Sequence, residues 1–315
     1  LAVGSPRAGP ELTAWVKSSA LSLGFDVVGI AAAGPAPGAA FFEEARGRGY
    51  LDPLPYLHQR VPARLDPRRL HAGARSVIVV GMGHAQEPPP PPLTPHLKVA
   101  RYAARRDYHL PVTKLLRKLR KLMRARLPAA DGYVSADTGA VLERGWAQEA
   151  GLGWVGKSGM LLSRELGSCL VLGVLVTTVE LEPDPPGADL CGTCDACLRG
   201  CPTGAIVAPR LVDARRCIAT WTVEWRDTLF PPGVPPFHGW GFGCDACQEA
   251  CPYLRRGRLN RLLRPRADLW FLDMAALCGG GGAVLPPLEG TPLARAGVKR
   301  LARNARWGTG QDIDP

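Results

Sequence analysis

Eight of the ten cysteines in this 315-residue chain fall into two runs. The first is Cys191-x2-Cys194-x2-Cys197-x3-Cys201-Pro202; the second is Cys217 followed by Cys244-x2-Cys247-x3-Cys251-Pro252. Thiolates at this spacing are ligands of 4Fe-4S clusters, and where two clusters share a domain the cysteine before the proline serves the other cluster. The expected ligand sets are therefore Cys191, Cys194, Cys197 and Cys251 for one cluster, and Cys217, Cys244, Cys247 and Cys201 for the second. Such a pair of clusters moves electrons. Cys217 lies far upstream of Cys244, so a long loop has to fold back to deliver it.

Other thiol chemistries match less well. A zinc site takes four ligands in two close pairs rather than a tight run ended by proline. Disulfide frameworks belong to short secreted chains, and no charged-then-apolar leader with a small-residue cleavage site opens this sequence. Cys169 and Cys278 have no partners at ligand spacing and are expected to be buried structural thiols.

The length allows two or three domains. No apolar stretch reaches the roughly 20 residues that span a bilayer; a cytoplasmic monomer without membrane contact is expected. Leu1–Pro10 is expected to fray. The net charge of +11 favours an anionic partner. Basic residues concentrate at Arg101, Arg105, Arg106, Lys114, Arg117, Lys118, Arg120, Lys121, Arg124 and Arg126, again from Arg255 to Arg266, and at Lys299, Arg300, Arg303 and Arg306. Each group alone reads as a solvated helix face. Flanking a redox domain, the three together make a candidate polyanion-binding surface.

The elements that must hold these residues follow from periodicity. Helices are expected at Glu11–Leu23, Ala39–Gly47, Leu110–Leu127 and Val141–Ala150, and strands at Asp26–Ala31, Gly132–Ser135, Met160–Leu162 and Ser168–Leu181. Ser76–Gly83 is a short apolar run of the fully buried kind, and the prolines Pro88–Pro92 form a surface loop. Glu182–Ala188, rich in proline, separates an α/β unit from the cysteine domain. After Pro252 the chain is expected to turn helical, with a break at Gly279–Gly282 and a last basic helix at Leu293–Arg306.

Around this skeleton, several motifs carry a resemblance. They are Arg101-Tyr-Ala-Ala-Arg-Arg-Asp-Tyr-His109, Asp137-Thr-Gly-Ala-Val-Leu-Glu-Arg144, Ala150-Gly-Leu-Gly-Trp-Val-Gly-Lys157, Cys201-Pro-Thr-Gly-Ala-Ile206, Asp213-Ala-Arg-Arg-Cys217-Ile and Gly243-Cys-Asp-Ala-Cys-Gln248. From about Leu12 onward the chain resembles the epoxyqueuosine reductases, which use cobalamin and two 4Fe-4S clusters to reduce the epoxide of epoxyqueuosine in the tRNA anticodon to queuosine. The resemblance implies an α+β protein in three parts: an α/β cobalamin-binding domain at 1–182, a ferredoxin-like domain with both clusters at 183–256, and a C-terminal helical, HEAT-like segment at 257–315. It also implies an external one-electron donor and a tRNA carrying epoxyqueuosine as partners. The chain departs from the family at Asp137-Thr-Gly-Ala, where Asp-Ser-Ala-Pro is usual, and at Gly156-Lys-Ser-Gly159, where Gly-Lys-Asn-Thr is usual; its C-terminal region is short for the family.

Removing an epoxide oxygen as water takes two electrons and two protons, whereas clusters deliver electrons singly, so a centre such as cobalt must stand between clusters and substrate. A carboxylic acid with a pKa raised by burial can supply a proton. By resemblance Asp137 is that proton donor, with His109 orienting substrate or replenishing the proton. Taken alone, Asp137 reads rather as a helix N-cap, since Glu143 and an apolar run follow, and His109 as an ordinary loop histidine. Arg60, Asp137, Ser158 and Asp245 fall where the family contacts the corrinoid; Trp225, Arg300 and Arg303 are the expected substrate contacts. Two other classes stay open: a corrinoid oxidoreductase acting on small organohalides, and a non-catalytic electron-transfer or corrinoid-handling protein.

Overall fold

Ser76–Gly83 offers solvent no polar face, and the fold covers it on both sides. The computed structural model describes residues 9–279 and 282–308, so most of the lead Leu1–Pro10 and part of the glycine break Gly279–Gly282 lie outside the described residues. The chain runs through α1 (Pro10–Leu23), β1 (Val27–Ala32), α2 (Ala39–Gly47), α3 (Val61–Leu65), β2 (Ser76–Gly83), β3 (His96–Val99) and α4 (His109–Arg126). It continues with β4 (Gly132–Ser135), α5 (Glu143–Glu149), β5 (Trp154–Val155), β6 (Leu161–Leu162) and β7 (Leu170–Thr177).

Four of these strands form a sheet in the order β1-β2-β7-β4, with every neighbouring pair antiparallel. Alternate side chains of a strand face opposite ways. Ile78, Val80 and Met82 meet Val16 and Ala20 of α1 and Val112, Leu116 and Leu119 of α4; Val77 and Val79 meet Trp146 and Ala147 of α5. The α/β expectation for residues 1–182 is thereby corrected in topology. Coverage of both faces, not parallel strand direction, makes β2 apolar throughout.

The cysteine region adds α6 (Ala196–Arg199), β8 (Ile206–Ala208), β9 (Leu211–Val212), a π-helical turn at Thr220–Glu224, β10 (Trp240–Phe242) and α7 (Ala246–Glu249). Beyond it lie β11 (Phe271–Asp273), α8 (Met274–Cys278) and α9 (Gly297–Gly308). The helical, HEAT-like expectation for the C-terminal segment is corrected here. Pro265, Pro286, Pro287 and Pro292 deny a continuous helix its N–H donors, and β11 instead joins a three-stranded sheet in the order β10-β3-β11.

That second sheet takes one strand from each expected domain, so the packing cuts across the boundaries at 182 and 256. One core holds Leu97 and Val99 with Phe242 and with Leu269, Leu272, Leu293 and Leu301. The proline-rich stretch is no free linker either. Asp184 accepts from Ile30 N–H through its carboxylate and donates its own N–H to the Ile30 carbonyl, while Lys17 pairs with the same carboxylate.

α4 reaches the sheet at Gly173 of β7, where a Cβ would stand 2.5 Å from Val112 and 2.8 Å from Leu116. Overpacking of this kind costs about 1–3 kcal/mol. Gly173→Val is expected to lower the urea midpoint accordingly, whereas Lys121→Ala on the exposed face of α4 should leave it unchanged.

Candidate active site and iron-sulfur region

Each cysteine run wraps around one short helical turn. α6 and α7 begin after Asp195 and Asp245, and Leu198 and Gln248 N–H donate back to those residues' carbonyls. Gly200 lets the turns touch, because a Cβ there would stand 2.6 Å from Ala250 Cβ. This crossing carries the last cysteine of each run toward the first cysteines of the other. Burial raises Cys197, and the charges of Cys191, Cys251 and Cys194 add to the effect. Burial likewise raises Cys247, with Cys244, Cys217 and Cys201 adding to it. The eight thiols thus gather in two groups of four, Cys191, Cys194, Cys197 and Cys251 in one and Cys201, Cys217, Cys244 and Cys247 in the other.

Thiolates crowded in this way repel one another unless a cationic core lies between them. N–H donors to sulfur complete the environment: Trp154 Nε1–H donates to Cys191 Sγ (3.4 Å) and Ala205 N–H to Cys201 Sγ (3.2 Å). For Cys201, burial acts upward but the Thr203 hydroxyl and nearby N–H groups hold the thiol below its ordinary value. Such a donor set fits cubane ligation. Cys169 is buried as expected, while Cys278 is exposed, which corrects the buried-thiol expectation for it; it closes α8, whose buried position is Leu277.

A second cluster joins titratable groups by hydrogen bonds. His109 Nδ1 lies 2.7 Å from Asp107 Oδ1, and His109 Nε2 lies 3.3 Å from Asp137 Oδ2. Arg295, 186 residues downstream, donates to Asp107 Oδ2 (2.9 Å) and stands 3.2 Å from His109 Nε2. Burial opposes charge on the imidazole, but hydrogen bonds with Asp107 and Asp137 outweigh it and raise its pKa above the ordinary value. For Asp137 the surrounding protein acts upward, yet the hydrogen bond and charge of His109, then Arg144 and Arg295, hold it below the usual carboxylate range. The expectation of an Asp137 raised toward neutrality is therefore corrected. Of the pair, His109 is the group held toward its protonated form and Asp137 the group held toward its charged form.

Asp137 does not cap a helix, because α5 starts at Glu143 with Leu142 before it. Its backbone is left-handed, with φ 63°, a state that costs a non-glycine residue about 1–3 kcal/mol. Glu143 compensates: its Oε1 accepts from Asp137 N–H (2.8 Å) and from Ser135 Oγ (3.0 Å). Enclosure and the Asp137 charge push the Glu143 carboxyl up to about 7. The loop also packs too closely for the alanine usual at position 139, since a Cβ on Gly139 would stand 2.2 Å from Ser135 Oγ.

The remaining expected contacts divide. Arg60 is exposed, with φ 53°. Ser158 accepts from Met160 N–H (3.4 Å) in a loop whose Gly156 would bring a Cβ within 3.5 Å of Cys191 Sγ. Asp245 is only 2% exposed and its carboxylate is committed to Arg101, accepting from its N–H (2.7 Å) and guanidinium (3.3 Å), which corrects the expectation of a cofactor contact for that side chain. Trp225 packs at a tilt against Trp221 (ring centroids 5.2 Å apart) and lines a cavity of about 410 Å³ with Asp52, Arg215 and Pro231.

Arg300 and Arg303 serve this tryptophan from behind. Arg303 is 3% exposed and donates to the carbonyls of Trp225, Asp227 and Trp221. Arg300 donates to those of Ala296, Val223 and Trp225. Both brace the loop that carries Trp225; the buried Arg303 is thereby corrected as a direct contact, while Arg300 is half-buried. Arg101 and Arg105 are likewise buried and Arg120 is half-buried, so the first basic group narrows to Arg106 and the exposed face of α4: Lys114, Arg117, Lys118, Lys121, Arg124 and Arg126.

Residues 190–254 match the family described as 4Fe-4S double cluster binding domain, and residues 64–138 match Epoxyqueuosine reductase QueG, DUF1730. The epoxyqueuosine reductase of Gloeobacter violaceus is 38% identical over 96% of this chain and 97% of its own length. The chain belongs to the epoxyqueuosine reductase family. Solved epoxyqueuosine reductases share its fold. One, with an epoxyqueuosine-modified tRNA-Tyr stem loop, gives a TM-score of 0.85 at 24% identity over 96% of this chain and 81% of that one. The Bacillus subtilis structure with its catalytic loop swung out of the active site gives 0.81 at 24% identity over 96% and 82%.

Within this epoxyqueuosine reductase fold, sequence reasoning passed over three residues. Asp107 lies within the Arg101–His109 motif, Glu143 follows Asp137 as a helix-start signal would, and Arg295 carries no signal because its partners are 186 and 188 residues away. Glu143 is open to a direct test, since losing a hydrogen bond to a charged group costs about 1.5–3 kcal/mol, enough to change the loop population ten-fold or more. Glu143→Ala is expected to raise proteolytic cleavage within residues 136–142 and to lower turnover. Glu143→Gln, whose amide oxygen still accepts both bonds, should keep the wild-type cleavage pattern.

Proposed function

We propose that this chain reduces the epoxide of epoxyqueuosine in tRNA to the alkene of queuosine, with two 4Fe-4S clusters, cobalamin and an external one-electron donor. The observation that carries this reading is a packed path between the proton-holding groups and the cysteines. The His109 and Tyr108 rings lie 4.0 Å apart, and Tyr108 and Tyr102 lie 6.4 Å apart. Tyr102 in turn comes within 3.3 Å of the place a Cβ on Gly243 would occupy, one residue before Cys244. Electron-handling and proton-handling groups thus share one small region of the fold.

The overall change consumes two electrons and two protons and releases water. Asp107 fixes the His109 ring, His109 holds a proton against Asp137, and Asp137 presents it to the epoxide oxygen from a side chain that is 61% exposed. Arg60, Ser158 and Asp137, which come from three separate loops, are the residues that would hold cobalamin, offering polar groups to the amide arms of a corrinoid. Bound there, it would supply a metal that accumulates reducing power beyond single electrons. The Trp221–Trp225 cavity is suited to stacking a base beside the anticodon, and the basic face of α4 to the phosphate backbone.

Anaerobic incubation with cobalamin, a reductant and epoxyqueuosine-containing tRNA, followed by nucleoside mass analysis, tests the reading; no queuosine from protein with about eight irons would refute it. The His109 pKa is raised, so the proton it holds is present at low pH and is lost as pH climbs through that raised value. Turnover is expected to fall on the alkaline side. Asp107→Asn, which removes one of the groups that raises His109, should move that fall to lower pH, as read from a pH–rate profile. Base–aromatic stacking contributes about 1–3 kcal/mol per base, so Trp225→Ala should raise KM for the tRNA roughly 5- to 150-fold with unchanged iron content.

A further inference from the structure

The two cysteine groups differ in depth. Of the eight thiols, Cys194 alone is exposed, which makes the Cys191, Cys194, Cys197 and Cys251 group the outer one. Its ligand Cys191 accepts from the Trp154 indole, and Trp154 meets the Tyr253 ring edge-on at 4.8 Å. Tyr253 follows Cys251 by two residues. An aromatic pair therefore leads from this group toward the surface.

The surface at that point is basic. Arg255, Arg256 and Arg258 are all exposed, and Arg256 stands 5.7 Å from the Tyr253 ring centroid. The same segment packs on the tight turn Ser163–Gly167, where a Cβ on Gly167 would stand 2.4 Å from the Tyr253 carbonyl, and that turn adds the exposed Arg164. None of these four arginines forms an ion pair with a carboxylate among the described residues. The nearby acids are mostly engaged: Asp189 with Arg210, Asp195 with Arg199 and Glu249 with Arg101. Glu165, in the Ser163–Gly167 turn, and Glu87, two residues beyond Ala85 whose N–H donates to the Arg258 carbonyl, are the exposed acids in these segments that form no ion pair among the described residues. Leu259, 40% exposed, adds an apolar spot at its edge.

We infer that Arg164, Arg255, Arg256 and Arg258 form the docking surface for an acidic one-electron carrier protein, which passes electrons to the outer cysteine group beside Tyr253 and Trp154. The inference rests on the proposed reductase reading, which needs an external donor. Each docking event oxidises the carrier by one electron and reduces the outer cluster by one, and two events supply the two electrons that convert epoxide and two protons to alkene and water. Opposite charge at such a site speeds encounter and gives it a steep salt dependence. The arginines sit beside a redox centre and not beside the Trp221–Trp225 cavity, and this placement favours a carrier over tRNA.

The test uses full-length reconstituted protein and stopped-flow cluster reduction by two acidic donors, reduced flavodoxin and a plant-type ferredoxin, against the methyl viologen radical cation. Reversing Arg255, Arg256 and Arg258 to glutamate should slow both proteins on the order of ten-fold or more and flatten their salt dependence, without slowing the viologen. A milder set of Arg→Gln changes at the same three positions should slow the carriers by less. Unchanged carrier rates, equal slowing of the viologen with full iron content, or lost tRNA affinity with carrier rates intact would each overturn the docking assignment. Those rates are read without tRNA turnover, so queuosine formation by the wild type decides the reductase reading separately.

Discussion

Asp245 lies between two cluster cysteines in sequence, and its carboxylate is bonded to the Arg101 N–H and guanidinium in the interior. Arg101 opens the segment that ends at Asp107 and His109. The pair therefore fixes the cysteine region against the proton-handling loop. Burying two charges costs several kcal/mol per ion, and their attraction alone rarely returns it. Here the geometry adds to that attraction, since Asp245 also takes a backbone N–H and Arg101 reaches Glu249 at 3.0 Å. Burial still pushes the Asp245 carboxyl up to about 6. The pair is better understood as a register pin than as a source of stability.

A smaller set of arginines uses its charge inward in the same way. A strongly basic chain suggests a polyanion surface, and most of that charge does face outward, but Arg64, Arg101, Arg105 and Arg303 are turned to the interior. Arg303 is stacked over Phe230 at 4.2 Å while it holds three carbonyls, and Arg120 donates to Gly132 O. Guanidinium groups suit this role because five fixed donors can satisfy several carbonyls at once. The irregular insertion between Cys217 and Cys244 is what they support. It carries Trp221, Trp225, Phe230 and Phe237 into an aromatic cluster closed by Trp307 of α9.

The elements that were legible in the sequence are those written by local rules. α2, β2 and β4 match their expected bounds residue for residue, because a helical stripe or an unbroken apolar run is a property of adjacent residues. α5 begins later than expected, since Asp137 stands in a strained loop and no capping side chain precedes Glu143. The C-terminal segment was misjudged for a different reason. Residues 271–273 are three in number and gain strand geometry only by pairing with β3, and such a strand leaves no periodicity to detect.

By itself the sequence determined the two cysteine sets, since ligand type, spacing and the terminal proline constrain cluster geometry whatever surrounds them, and the family motifs marked Asp137 and His109. It also determined which strand had to be covered on both faces. Only the tertiary structure decided which way the His109 and Asp137 pKa values lean, because the balance between them depends on Asp107, Arg144 and Arg295 arriving from separate elements. It alone decided which arginines face solvent, since a guanidinium carries the same charge whether it meets a phosphate or a buried carbonyl, and burial is set by contacts between residues far apart in the chain.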